Sequence, residues 1–298
     1  MKFGMGHSYW GTTWKCDLEK YKKVAEKLSR YGFDMFEITA DHVYQMEDAQ
    51  LKELDAIGKN YGLTFSTNSG PAKKYDLSSP DSEIRKNGLE YFKEIVKKMS
   101  LIHSPVLAGA IYSFWPTDFV ETDKEAAWER SIPMLRELGT VADTLGIECA
   151  LEVLNRNETY ILTDCEEAIT YCKEIGRKSI VILLDTYHMN IEEDDMGEAI
   201  RHAHMHDKIG EIHIGEANRR VPGTGKSHMD WEGFFGTLRD IGYEGMITME
   251  PFLVQGLPIS SKICVWRDLS RQADPEGFAD MIRTGAGFIR GFWAADGK

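Results

Sequence analysis

Met246-Ile247-Thr248-Met249-Glu250-Pro251-Phe252 runs apolar and then stops on a carboxylate followed by proline. The β-branched Ile247 and Thr248 favour a strand. Pro251 has no N–H to extend a buried ladder, so the strand is expected to end at Glu250. A charge at the mouth of a buried strand is costly unless a partner compensates it. Three runs upstream end the same way: Ile147–Glu152, Ile180–Asp185 and Ile209–His213. The gaps separating Glu152, Asp185, His213 and Glu250 are 33, 28 and 37 residues. A barrel of ~250 residues in eight strand–helix units uses ~31 residues per unit. The four residues are therefore expected on the C-terminal ends of four successive strands of one barrel. Three carboxylates and one imidazole suit a divalent cation such as manganese, magnesium or zinc.

Outward from these runs, strand and helix patterns alternate along the whole chain. Strands are expected at 2–9, 33–39, 63–68 and 106–112, ahead of the four already named. Helices are expected at 18–31, 49–61, 80–102, 123–145, 163–175, 196–206, 231–241 and 277–292. Gly62, Gly146 and Gly242 read as helix stops. Ser79-Pro80 reads as a helix start, and Thr163 with Glu166 as a capping box. No linker or low-complexity segment interrupts the alternation. The fold class is α/β, a single (β/α)8 TIM barrel spanning residues 1–298.

The 298 residues are 42% hydrophobic, enough for one sizeable core. The formal net charge of −13 repels a phosphate backbone, so no nucleic-acid partner is expected. No apolar run approaches the ~20 residues of a membrane span, and MKFGMGHSYW does not read as a signal peptide. The five cysteines (Cys16, Cys149, Cys165, Cys172, Cys264) are scattered without a CxxC pair, as in a reducing cytoplasm.

The loops expected after the last four strands are polar, as in Asn155-Arg156-Asn157-Glu158. Those after the first and fourth are aromatic, with Trp10, Trp14 and Trp115. A polar half facing an aromatic half suits a small polyol. His188 follows Asp185 by three residues, where contact with a substrate is expected. A guanidinium at Arg219 would stabilise charge developing beside a cation. The run His202-Ala203-His204-Met205-His206 reads as cationic groups at a helix C-terminus, not as a metal cluster. Gly223 and Gly225 lack the spacing of a phosphate loop and read as a tight turn.

With those residues in view, the chain resembles the ketose 3-epimerases, the D-tagatose and D-psicose (D-allulose) 3-epimerase family. The resemblance is carried by YSFWP (112–116), EVLNR (152–156), LDTYHMNIEED (184–194), HIGEANRRVPGTG (213–225), MEPF (249–252) and KICVWRDLS (262–270). It implies that Glu152, Asp185, His213 and Glu250 bind manganese or cobalt, with magnesium possible. It implies that Glu152 and Glu250 are the acid–base pair, moving a proton at C3 through a cis-enediolate. Glu158, His188 and Arg219 would hold the sugar's first three oxygens, with Trp14, Trp115 and His7 on the substrate wall. A homodimer or homotetramer is implied as well. Gly6-His7 departs from the aromatic pair that many members carry there, which bears on the preferred ketose.

Other readings of the same acids are an aldose–ketose isomerase of the same superfamily and a non-catalytic, metal-stabilised sugar-binding protein. An abasic-site endonuclease would need more histidine ligands and a basic face, which the net charge opposes.

Overall fold

The computed structural model describes residues 1–10, 17–257 and 259–294. Eight parallel strands close into a barrel in chain order. They are β1 (Lys2–Gly6), β2 (Met35–Thr39), β3 (Thr64–Ser69), β4 (Val106–Gly109), β5 (Glu148–Val153), β6 (Ile180–Asp185), β7 (Ile209–Ile214) and β8 (Met246–Met249). Closure comes from β1 pairing with β8, Lys2 opposite Met246 and Met5 opposite Met249. Asp185 stands opposite His213 in the β6–β7 register, which brings two of the four expected ligands side by side.

The helices are α1 (Leu18–Arg30), α2 (Ala40–Gln45), α3 (Asp48–Tyr61), α4 (Ser82–Leu101), α5 (Lys124–Leu145), α6 (Cys165–Ile175), α7 (Thr186–Glu192), α8 (Met196–Met205), α9 (Trp231–Asp240) and α10 (Pro275–Ala294). Aspartate caps most of them. Asp17, Asp81, Asp123, Asp164, Asp195 and Asp230 each accept a backbone N–H in the first turn of α1, α4, α5, α6, α8 and α9. Such caps satisfy N–H groups that the helix itself leaves unpaired. Gly62, Gly146 and Gly176 end α3, α5 and α6 in the left-handed conformation, which costs glycine nothing. Between strands and helices lies a continuous apolar layer that includes Phe36, Phe65, Phe92, Tyr112, Tyr171 and Phe235. None of the described helices is long and apolar enough to cross a membrane.

Several boundaries differ from the sequence reading. The first strand ends at Gly6, because His7–Trp10 turns into a 3-10 helix. The fourth ends at Gly109, whose φ of 111° breaks the extended run. The helix after Ser79-Pro80 starts two residues later, on the Asp81 cap. Asp164 caps α6 in place of Thr163, whose N–H and hydroxyl both donate to Glu167 instead. The segment after Asp185, read as a polar loop, is α7.

Candidate metal centre and sugar cavity

β5, β6, β7 and β8 are consecutive around the barrel, so their C-terminal ends form one arc. Glu152 lies near the end of β5, Asp185 ends β6, His213 is the penultimate residue of β7, and Glu250 follows β8. One ligand atom from each lies within 4.8 Å of every other. His213 Nδ1 is 3.7 Å from a Glu250 oxygen and 4.0 Å from an Asp185 oxygen. The two glutamates sit at the ends of the arc, with Asp185 and His213 between them.

The electrostatics fit a cation at this point. His213 Nδ1 is buried and has no hydrogen-bond partner among the described residues. Burial pushes the Glu152 carboxyl well above the ordinary range, and the facing Glu250 adds to the effect. Burial raises Asp185 too, although Arg219 pulls the other way. Burial alone would lower His213, but Glu37 and Glu250 outweigh it and hold the imidazole well above its usual pKa. Three acids crowded in a dry site repel one another, and a divalent ion would remove that penalty. Oxygen and imidazole donors in this number are a ligand set that such an ion takes.

Backbone and buried carboxylates hold the ligands in place. Asp185 accepts the Tyr187 N–H at 2.6 Å and so caps α7 as well. On the far side of the His213 ring, Nε2 lies 2.9 Å from Glu37 Oε2, deep in the barrel. A carboxylate on the second ring nitrogen fixes the tautomer that leaves Nδ1 free for a metal. Glu211 lies two residues before His213 on the same face of β7, fully buried, and accepts the Thr248 hydroxyl at 2.6 Å. Burial and the nearby Glu37 push its carboxyl up to about 7. The sequence reading gave neither Glu37 nor Glu211 a role. The signal was an acid at an inward position of an otherwise apolar strand, in MFEIT and in IGEIHI.

Beside the arc opens a cavity lined by most of the other expected residues. Glu158, His188, Arg219, Trp115 and His7 all border it, together with Glu152 and Glu250. His188 Nδ1 accepts the Asn155 backbone N–H at 3.0 Å. Its hydrogen is therefore on Nε2, which lies 3.6 Å from Glu152 Oε1. Burial, helped by Arg219 and His213, holds His188 well below its usual pKa, so it donates as a neutral ring. Glu158 is bound from both sides, by Arg219 Nη2 at 2.8 Å and by Trp115 Nε1 at 2.8 Å. The Arg219 guanidinium stacks 3.6 Å above the Tyr187 ring. Trp14 lies outside the described residues. The pair His202 and His206 packs ring to ring at 5.0 Å at the end of α8 and does not border the cavity.

The sequence profile of the xylose isomerase-like TIM barrel family matches residues 25–272. The chain belongs to this family. Within the xylose isomerase-like barrels it is similar to ketose 3-epimerases over nearly its full length. It is 40% identical to the D-psicose 3-epimerase of Ruminiclostridium cellulolyticum, covering 92% of each chain. It is 37% identical to the D-psicose 3-epimerase of Agrobacterium fabrum, covering 97% of this chain and 98% of that one. The crystal structure of D-psicose 3-epimerase with D-tagatose from Clostridium cellulolyticum H10 superposes with a TM-score of 0.93, at 38% identity, over 98% of this chain and 99% of that one.

Proposed function

We propose that this xylose isomerase-like barrel is a metal-dependent ketose 3-epimerase acting on free ketohexoses and ketopentoses, with D-fructose/D-psicose and D-tagatose/D-sorbose as examples. One observation carries the reading: two glutamates end an arc of four metal-capable side chains at the mouth of the barrel, next to a cavity with polar and aromatic walls. A 3-epimerase must remove a proton from one face of C3 and return one to the other, which needs two acid–base groups.

A divalent cation held by Glu152, Asp185, His213 and Glu250 would supply Lewis acidity beside the ketone. Glu152 takes the C3 proton, and the C–H electron pair passes into a C2–C3 enediolate of the sugar. Glu250 delivers a proton to the opposite face, leaving C3 inverted. His188, donating from Nε2, and Arg219 stabilise the charge that develops on O2. Glu158 is pinned by Arg219 and Trp115, so its carboxylate accepts sugar hydroxyls in a fixed orientation. Trp115 offers a ring to the carbon face of the sugar and His7 completes the wall in this reading, while the part given to Trp14 rests on the family resemblance alone. We assign the cation as manganese or cobalt, the assembly as a homodimer or homotetramer, and the compartment as the cytoplasm.

The deciding experiment strips metal from the protein, restores manganese, and offers a ketose panel in D2O with NMR detection. The expected product is the C3 epimer carrying deuterium at C3. An aldose product would identify an aldose–ketose isomerase instead. Ketose binding with no deuterium uptake would identify a sugar-binding protein.

A further inference from the structure

The barrel mouth has a second half that the proposed chemistry does not use. In a ring of eight strands, β1 lies across from β5 and β3 lies across from β7. His7 and Ser8 directly follow β1, and Asn68 is the penultimate residue of β3. All three border the same cavity as Glu152 and Glu250. His7 Nε2, Ser8 Oγ and Asn68 Nδ2 are each buried without a hydrogen-bond partner among the described residues. Folded proteins rarely leave such atoms unpaired without a reason, since each carries a desolvation cost. Gathered on one cavity wall, they mark a place where a ligand supplies the missing partners.

The chemistry of the wall selects the ligand. His7 is 6% exposed and packs edge-on against Tyr21 and His42. Burial, with His42 and Lys20 nearby, pushes its pKa down to about 3, so the ring is neutral at physiological pH. Its Nδ1 lies 3.3 Å from the Thr39 hydroxyl, which can donate or accept. Nε2 can therefore meet a partner in either role. The Ser8 hydroxyl also serves both roles, and the Asn68 amide donates. A neutral wall of this kind matches an alcohol, which donates and accepts at once. His7, Ser8 and Asn68 themselves carry no positive charge for a phosphate ester, and the Asp41 carboxyl borders the same cavity. Gly6 keeps the wall open toward the arc: a Cβ there would lie 3.4 Å from Ser8 Oγ and 3.5 Å from Glu250 Cγ.

We propose that His7, Ser8 and Asn68 form a subsite for the terminal hydroxyl of an unphosphorylated ketohexose, and that this subsite makes the protein discriminate against 6-deoxy ketoses. The proposal rests on the epimerase reading, which anchors C2 and C3 at the arc and leaves the rest of the sugar to run across the cavity toward β1 and β3. A site built around a hydroxyl rejects the analogue without it, because its own buried groups then stay unpaired.

The test compares D-psicose with 6-deoxy-D-psicose on the manganese-loaded protein, by kcat/KM and by binding read from tryptophan fluorescence. Wild type should favour D-psicose by on the order of 10- to 100-fold in both measurements. H7F should shrink the ratio toward one, H7Q should restore part of it, and S8A should lower it by a smaller factor. Equal handling of both sugars by wild type would overturn the subsite, as would an unchanged ratio in H7F and S8A alike. A protein that binds D-psicose in preference to its deoxy analogue but epimerises neither would refute the epimerase reading and support the subsite. A protein that binds neither sugar would refute both.

Discussion

The two halves of the barrel mouth are built on opposite electrostatic plans. From β5 to β8 the strand ends carry Glu152, Asp185, His213 and Glu250, ionisable groups close enough to perturb one another. From β1 to β3 they carry His7, Ser8, Thr39 and Asn68, groups that are neutral or held neutral, with the Asp41 carboxyl beside them in the first turn of α2. A cation would offset the repulsion within the first half, and the second half carries buried polar atoms with no hydrogen-bond partner among the described residues. The contrast separates two tasks that share one cavity: the acidic arc is suited to moving protons, and the neutral wall to choosing which sugar is presented. Mutations in the two halves should therefore fail differently.

The largest effect belongs to the arc. Glu152→Gln and Glu250→Gln each remove a group that must gain and lose a proton, while an amide oxygen remains near the ligand set. Each should lower kcat by on the order of 10³-fold or more, with manganese still bound more weakly. Solvent-deuterium uptake at C3 measures the first, and chelator competition the second. Near-normal turnover by either variant would remove the division of labour between the halves. Changes to the neutral wall should appear as altered sugar preference instead.

Glu37 crosses the divide, and it tests how far the contrast holds. It sits on β2, in the neutral half, yet reaches through the barrel to His213 Nε2 at 2.9 Å. Glu37→Gln should weaken manganese binding by roughly 10-fold and Glu37→Ala by roughly 100-fold, as expected for the partner of a metal-binding imidazole. Unchanged affinity in the alanine variant would mean that the His213 ring is oriented by packing alone. Glu37 also marks where the sequence became hard to read. The four arc residues were legible because a charge at the end of an apolar run is conspicuous, and because such ends recur at one strand–helix period. Glu37 and Glu211 lie inside their strands, where one acid among apolar residues looks like an ordinary irregularity. Asn68 was less legible still, since a neutral polar residue at a strand end is unremarkable until the fold leaves its amide without a partner among the described residues. Helices α2 and α7 were missed for a related reason. Each starts immediately after its strand, on Thr39 or Asp185, with no loop to announce it.

The pH response should also differ between the halves. Glu152, Asp185 and His213 all have pKa values raised in the metal-free protein. A cation must displace the protons they hold, so manganese affinity should rise with pH, by about tenfold per unit for each proton displaced. The sign for stability is the reverse. A raised pKa in the folded state means a contribution that is fully present below the unfolded value and lost as pH rises through the folded one. These three groups should therefore contribute less to the stability of the metal-free protein from the ordinary carboxyl range upward past the imidazole value of 6.5, while manganese flattens their contribution. Thermal melts of chelated and manganese-loaded protein between roughly pH 5 and pH 8 read both curves. His7 and His188 act in the opposite direction: each is held neutral in the folded protein but takes up a proton near 6.5 when unfolded, so their contribution to stability falls as pH drops below that value.

The smallest effect comes from the neutral wall without a ligand. The Ser8 hydroxyl is buried and has no partner among the described residues, so it is expected to hold the folded protein below the stability that a methyl group would allow. Ser8→Ala deletes that hydroxyl and leaves no large void. It should stabilise the sugar-free protein by about 1 kcal/mol, the lower end of the cost of an unsatisfied buried polar group. For a chain of this length, that is a rise of roughly 2 °C in melting temperature. Saturating D-psicose should narrow the gap, because in wild type the sugar supplies the partner that Ser8 otherwise lacks. The same substitution would thus raise stability while lowering selectivity, the trade expected where a binding group is held unpaired in advance of its ligand. A fall in melting temperature would instead show that the hydroxyl already stabilises the turn after β1, and that the neutral wall is structural at this position.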